Sequence, residues 1–248
     1  MVKPKKSLGQ HFLIQPSIAQ KIVHLIPSSP QHLIIEIGPG KGILTQFLIQ
    51  LPNSILAIDI DPESTDYLKK FFHSDNLTIL TQDILTYSFP QNKIFLIGNL
   101  PYNISSPIFF QILDNHEKID FAVVMIQKEV AERITAKPGS KSYGILSVLT
   151  NLYYETKIEF HVKPGAFFPP PKVDSSVLTL KKKTQLLTFN KDTLFKVVKI
   201  AFQQRRKMLR NSLKNIIPHL PENLKNLRPE QLSLEDFVQI SGLISDEN

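Results

Sequence analysis

The sequence predicts a doubly wound α/β domain followed by a small helical domain. Three observations carry that expectation. Short apolar runs alternate with amphipathic stretches through the first 180 residues. A glycine-rich turn follows the first of those runs directly. After Lys183 the strand pattern stops and positive charge accumulates. The 248 residues fit one large domain, or one medium domain with a small appendage, and divide here into 1–183 and 184–248.

The apolar runs are 33–37, 55–60, 77–80, 94–97 and 121–126. They are rich in Ile, Leu and Val and too short for helices, as expected of strands buried on both faces of a parallel sheet. Helices are expected over 43–50, 62–72, 106–113 and 128–136. Asp61 before Pro62 reads as an N-cap followed by a first-turn proline. Two later strands, 157–162 and 173–180, flank a proline-rich turn (Pro164, Pro169, Pro170, Pro171) and suit a hairpin-like edge. Residues 191–213 show helical periodicity, with Phe195, Val198, Phe202, Leu209 and Leu213 on one side. Lys199, Gln203, Arg206, Arg210 and Lys214 fall on the other. Ser233 resembles the N-cap of a final helix.

Composition narrows the chemistry. There is no Cys, which excludes disulfides, thiolate metal sites and cysteine nucleophiles. The seven His are scattered without metal-ligand spacing, so no metal is expected. No apolar run approaches the roughly 18 residues of a membrane span, and the basic N-terminus lacks a signal peptide's apolar core. A cytoplasmic, monomeric protein with no membrane partner is the expectation. The net charge of +7 is uneven. Residues 1–180 hold 16 Lys/Arg and 15 Asp/Glu, residues 181–214 hold 11 and one, and residues 215–248 hold two and six. An excess concentrated in one short segment suits a polyanion partner, nucleic acid first, over a solvated lysine-rich face.

Four features sit at successive strand ends. Glu36-Ile37-Gly38-Pro39-Gly40-Lys41-Gly42 lets the backbone turn sharply and approach a ligand. A dinucleotide fingerprint would need a third Gly at Ile43, so the loop fits S-adenosylmethionine better than NAD. Asp59, about 20 residues after Gly38, can accept hydrogen bonds from both hydroxyls of a ribose. Asp83 can accept from an adenine amino group. Asn99-Leu100-Pro101-Tyr102 is the sharpest. The exocyclic nitrogen of adenine is a poor nucleophile because its lone pair is delocalised into the ring. Alkylating it requires acceptors for both amino hydrogens, which the Asn99 side-chain oxygen and the Leu100 carbonyl can supply. Pro101 restricts the backbone before it, and Tyr102 offers a π face worth about 1–3 kcal/mol to a base turned out of its stack.

With these residues in view, the chain resembles the KsgA-type ribosomal RNA adenine dimethyltransferases nearly end to end. Lys6-Ser7-Leu8-Gly9-Gln10-His11-Phe12-Leu13 is similar to that family's N-terminal signature. Gly38 to Thr45 and Asn99 to Ile104 match its cofactor and catalytic motifs. Gln127 to Arg133, Tyr143 to Val148, Phe167 to Ser175 and Ala201 to Lys207 follow its later segments. The resemblance implies a class I, Rossmann-like methyltransferase domain using S-adenosylmethionine, released as S-adenosylhomocysteine, without a metal. It implies that His11 and Leu13 contact the cofactor mainly through backbone. Gly38 and Gly40 would line it, with Glu36 holding its amino end directly or through water. Asp59, where many relatives carry Glu, would bind its ribose and Asp83 its adenine. Asn99 would sit where cofactor and target base meet, with Phe167 a second stacking face opposite Tyr102. The implied substrate is small-subunit ribosomal RNA or the assembling small subunit. Two adjacent adenosines of its 3′-terminal hairpin would each be dimethylated on N6. Arg205, Arg206, Lys207 and Arg210 would dock the RNA. The related large-subunit enzymes of macrolide resistance, and a non-catalytic RNA-binding assembly factor on the same scaffold, are the alternatives.

Overall fold

The computed structural model describes residues 2–5, 8–185 and 187–244. Lys6 and Ser7, part of the N-terminal signature, lie outside the described residues. In chain order the elements are β1 (Phe12–Leu13), α1 (Pro16–Val23), β2 (Leu33–Ile37), α2 (Thr45–Leu48), β3 (Ile55–Asp59) and α3 (Pro62–Phe71). There follow β4 (Leu77–Thr81), β5 (Ile94–Asn99), α4 (Ser105–Asp114), β6 (Ile119–Gln127), α5 (Lys128–Ile134) and α6 (Ile145–Tyr153). The remainder are β7 (Tyr154–Val162), β8 (Phe167–Phe168), β9 (Ser175–Lys182), α7 (Lys191–Gln203), α8 (Leu209–Ser212) and α9 (Leu234–Ser241).

One sheet carries seven strands in the order β4-β3-β2-β5-β6-β9-β7, and β1 pairs with β8 in a separate two-stranded ladder. The run β4-β3-β2-β5-β6 is parallel, and β9 returns antiparallel to β6. The fold is therefore the doubly wound α/β class that the apolar runs predict. The order steps outward from β2 in one direction and from β5 in the other, which opens a crevice at the carboxyl ends of the strands. Ile37 pairs with Ile58 on one side and Gly98 on the other. The residues next along the chain, Gly38, Asp59 and Asn99, therefore emerge at one edge.

Alternation sorts the core. Ile34, Ile55, Phe95, Val123, Met125 and Val177 form one buried face with Ala19, Ile22, Val23, Leu44 and Leu48 from α1 and the α2 region. The intervening Ile35, Leu96, Val124 and Leu178 are buried as well. A sheet covered on both sides needs strands that are apolar throughout, and burying each such side chain contributes about 1.5–3 kcal/mol. Asp61 caps α3 as expected, accepting from the Glu63 N–H at 3.1 Å. Ser233 caps α9, accepting from Asp236 N–H at 3.1 Å, and the Asp236 carboxylate accepts from the Ser233 N–H at 2.8 Å.

Two expectations are corrected. Residues 191–213 do not form one helix: α7 stops at Gln203 and α8 is a separate turn. Across that break Leu209 N–H donates to Leu227 O and Arg210 N–H to Lys225 O, at 2.9 and 3.0 Å, so a neighbouring segment takes bonds that a continuous helix would satisfy internally. Nor is there a single boundary at 183. The chain divides into two compact units, 1–131 with 156–182, and 132–155 with 183–248. The reason lies in α6, whose residues 146–150, 152 and 153 are all buried. In the second unit α6 and α9 pack on α7, and rings run from Tyr143 through Phe202 to Phe237 at 6.1 and 5.9 Å. Among the described residues no helix is long and apolar enough to cross a membrane.

Candidate active site

A cleft of about 270 Å³ opens where β2, β3, β4 and β5 end, within the sheet unit. Gly38, Gly40, Asp59, Asp83, Asn99 and Tyr102 all line it, together with Leu100, Pro101 and His11. The parallel register thus brings together residues up to 91 positions apart, as the strand-end argument requires.

The glycine loop is shaped for close approach. Gly38 and Gly40 have φ of +64° and +56°, which side chains rarely adopt. A Cβ on Gly38 would meet nothing closer than Asn99 O at 3.9 Å, so it would stand in the cleft itself. A Cβ on Gly40 would instead strike the Phe12 ring at 2.8 Å. The Gly40 N–H donates to Asp59 Oδ2 at 3.1 Å, and the Asp61 N–H donates to Asp59 Oδ1 at 2.9 Å. Burial pushes the Asp59 carboxyl up, and the two amide bonds oppose that shift. Each oxygen keeps a lone pair for a ligand hydroxyl. Asp83 closes a turn by accepting from Leu85 N–H at 2.9 Å through one oxygen, which leaves the other for the cleft. Ile60 and Ile84 flank it as apolar walls. A carboxylate pair, apolar walls and a floor without side chains fit an adenosine-containing cofactor such as S-adenosylmethionine.

Asn99 is oriented by the N-terminal segment. Its Nδ2 donates to the His11 carbonyl at 2.8 Å. Because a carbonyl can only accept, the amide cannot flip, and Oδ1 is the acceptor end left for a ligand. Leu100 N–H donates to Met125 O at 3.0 Å, fixing the next peptide. Tyr102 is half-buried, with its ring centroid 5.3 Å from that of His11. His11 Nδ1 is 2.7 Å from Pro169 O, which pins that imidazole in turn.

Two expected site residues, Glu36 and Phe167, stand elsewhere. Glu36 is buried beneath the loop and does not line the cleft. Thr45 Oγ1 donates to its Oε2 at 2.7 Å, and Oε1 has no hydrogen-bond partner. The even–odd alternation of β2 turns this side chain inward. Burial pushes its carboxyl up to about 8. Leu13 and Phe167 are cross-strand partners of the β1–β8 ladder, and both side chains belong to the core, which leaves the backbone of Leu13 available for the contact expected of it. Phe167 is 2% exposed and offers no open stacking face, whereas Phe168, on the outer side of the same ladder, is 58% exposed. Period-two alternation decides both. Sequence reasoning missed Phe12, which packs on Gly40, and Ser175, whose Oγ lies 2.5 Å from Tyr102 Oη. Ser175 and Thr45 end motifs noted from the sequence, but spacing alone assigns them no partner.

In the helical unit, Arg206, Lys207 and Arg210 are exposed. Arg205 is not free: its guanidinium donates to Lys141 O at 2.7 Å and lies 3.8 Å from the Glu230 carboxylate.

A family model described as ribosomal RNA adenine dimethylase matches residues 1–241. The chain belongs to that family. It is 44% identical to the ribosomal RNA small subunit methyltransferase A of Bacteroides fragilis, over 98% of this chain and 93% of the relative. It is 46% identical to the protein of the same name from Flavobacterium johnsoniae, over 98% and 96%. Among solved structures, a dimethyladenosine transferase from Plasmodium falciparum superposes with a TM-score of 0.83 at 28% identity, covering 94% of this chain and 99% of that one. The 23S rRNA methyltransferase ErmE superposes at 0.77 and 22% identity, over 95% and 100%, which speaks to the fold alone. Membership of the adenine dimethylase family makes this chain a methyltransferase.

Two measurements test this geometry. The raised Glu36 carboxyl holds its proton more tightly folded than unfolded. Stability should therefore fall as pH rises from about 4.5 towards about 8. Urea unfolding of Glu36→Gln should lack that decline, and an undiminished slope in the variant would show that Glu36 is not its source. Asn99→Ala should lower methyl incorporation by at least about a hundredfold while RNA affinity stays within about twofold. Unchanged incorporation would remove Asn99 from the reaction.

Proposed function

We propose that the chain transfers methyl groups from S-adenosylmethionine to N6 of two adjacent adenosines in the 3′-terminal hairpin of small-subunit ribosomal RNA. Each adenosine would receive two methyl groups, with S-adenosylhomocysteine released. The observation that carries this reading is the Asn99 amide, locked by its bond to the His11 carbonyl so that Oδ1 can only accept. The small-subunit assignment is supported by relatives 44–46% identical over nearly the whole chain, which are small-subunit ribosomal RNA methyltransferases by name.

S-adenosylmethionine, when bound, supplies an electrophilic methyl group on a sulfonium. Asp59 and Asp83 would hold its ribose and adenine, and the turn at Gly38 would leave room for its methionine part. Asn99 Oδ1 and the Leu100 carbonyl would accept the two amino hydrogens of the target base. Holding both hydrogens draws the nitrogen towards tetrahedral geometry and localises its lone pair. Tyr102 would stack on the flipped base and fix its approach, so that alignment supplies most of the acceleration. The proton lost from nitrogen passes to solvent after transfer, so the mechanism needs no dedicated base.

The exposed Arg206, Lys207 and Arg210 would meet RNA phosphate, while Arg205 would serve its own unit's fold. A non-catalytic binder would have no need of the oriented Asn99 acceptor. The large-subunit enzymes share the Asn-x-Pro-Tyr core, here Asn99-Leu100-Pro101-Tyr102, and the likeness to ErmE speaks to the fold alone.

Unmodified small subunits incubated with methyl-labelled cofactor should yield label as N6,N6-dimethyladenosine at two neighbouring positions. Label confined to large-subunit RNA, or none, would overturn the reading. Replacing Arg206, Lys207 and Arg210 together by Ala should weaken RNA binding. It should also flatten the dependence of log affinity on log salt by about one unit or slightly less per lost phosphate contact. An unchanged slope would show that these side chains do not touch phosphate.

A further inference from the structure

Tyr102 does more than present a ring. Stacking needs only a π face, which Phe would supply equally, yet this side chain carries a hydroxyl and the hydroxyl has a partner. Its Oη lies 2.5 Å from Ser175 Oγ, across 73 positions of sequence. Ser175 is fully buried and opens β9, where its backbone is fixed by pairing with Gln127 of β6. One residue earlier, Asp174 O accepts from the Lys128 N–H at 2.9 Å, clamping the strand's start. The backbone that carries the serine hydroxyl is therefore fixed by the β6–β9 ladder. At its other end the Tyr102 backbone is tied too, since its carbonyl accepts from Ser105 Oγ at 3.0 Å at the start of α4. The His11 imidazole stands beside the ring, 5.3 Å away by centroids and tilted by 32°.

From this geometry we infer that Ser175 is a positioning residue for methyl transfer: its hydroxyl holds the Tyr102 ring at the angle that a target base must stack against. This rests on the adenine-methylating reading of the site. Without the bond the ring keeps its place on the backbone but gains freedom about its side-chain torsions. A base stacked on a wandering face spends less time aligned with the methyl donor. The loss falls on turnover, because reactive alignment is more demanding than binding, and displacements of about an ångström can cost up to about a hundredfold. RNA affinity, dispersed over many contacts, changes little.

The test is a double-mutant cycle with a conservative rescue. Methylation of unmodified small subunits is measured for the parent protein, Ser175→Ala, Ser175→Thr, Tyr102→Phe, and Tyr102→Phe with Ser175→Ala. Ser175→Ala should lower kcat by about tenfold with KM for RNA and for cofactor within about twofold, and Ser175→Thr should recover most of it. In the Tyr102→Phe background, Ser175→Ala should have no further effect, because the bond is already gone. An equal loss in both backgrounds would overturn the proposal, since it would mean that Ser175 acts through the fold and not through Tyr102. A second readout needs no substrate. In protein labelled with 3-fluorotyrosine, the fluorine resonance that disappears in Tyr102→Phe should shift in Ser175→Ala and return in Ser175→Thr. An unmoved resonance would overturn the positioning role whatever the kinetics. If the parent protein puts no label into small-subunit RNA, the functional reading fails instead, and the fluorine resonance still decides whether Ser175 positions Tyr102.

Discussion

The register of three parallel strands is the constraint on which the site depends. β2 lies between β3 and β5, and Ile37 is opposite Ile58 on one side and Gly98 on the other. Once that pairing is set, the glycine turn, the Asp59 carboxylate and the Asn99 amide must leave the sheet at the same edge. A slip of one residue on β5 would turn Asn99 into the layer of buried apolar side chains. Gly98 shows how tight this join is: a Cβ there would fall 2.6 Å from Ile37 O, so the residue before Asn99 can carry no side chain. The apolar layers on both faces of the sheet therefore serve the chemistry by excluding every other register.

Register alone does not finish the site. Its edge is completed by two segments far apart in sequence, β1 and β8, which pair Phe12 with Phe168 and Leu13 with Phe167. From this small ladder one chain of contacts runs through the cleft. Pro169 O holds the His11 ring, the His11 carbonyl holds the Asn99 amide, and His11 stands against Tyr102, which reaches Ser175. Each link removes a torsional freedom that would otherwise have to be frozen while the reaction proceeds, which is the physical content of a preorganised site. Lys5 adds to the hold on the N-terminal segment through its 2.7 Å ion pair with Asp61, the cap of α3.

Much of this was legible in the sequence, and the failures share causes. The five parallel strands could be read because each is a short apolar run, and Asp61 and Ser233 because cap chemistry is local. The strand-end acceptors Asp59, Asp83 and Asn99 followed from placing those runs in a parallel sheet. What sequence could not show was which way a side chain faces in a strand too short for a pattern. β1 and β8 have two residues each, so nothing in them says that Phe167 turns inward and Phe168 outward. Glu36 stands back from the cleft because its place in β2 buries it with Thr45, which a carboxylate beside a glycine loop does not reveal. The break after Gln203 was hidden for another reason. The sequence between α7 and α8 has no Gly or Pro, and the bonds that separate them come from residues 225 and 227. Periodicity reports local preference and is silent when a distant segment overrides it.

The charge excess is redistributed in the same way. Counting residues 181–214 gives eleven cations, but several are engaged within their own units. Lys182 is 3.3 Å from Asp120, Lys183 donates to Asn151 Oδ1 at 2.9 Å, and Arg205 donates to a backbone carbonyl and faces Glu230. Within residues 181–214 the exposed cations are Lys181, Lys196, Lys199, Arg206, Lys207, Arg210 and Lys214. These retain their hydration and their counterions, and only such groups can exchange counterions for phosphate. A cation already paired at close range would have to break that pair first, so it adds little to attraction at a distance. Seven of the eleven cations of this segment are therefore left exposed, and they set the charge that it can present to a polyanion.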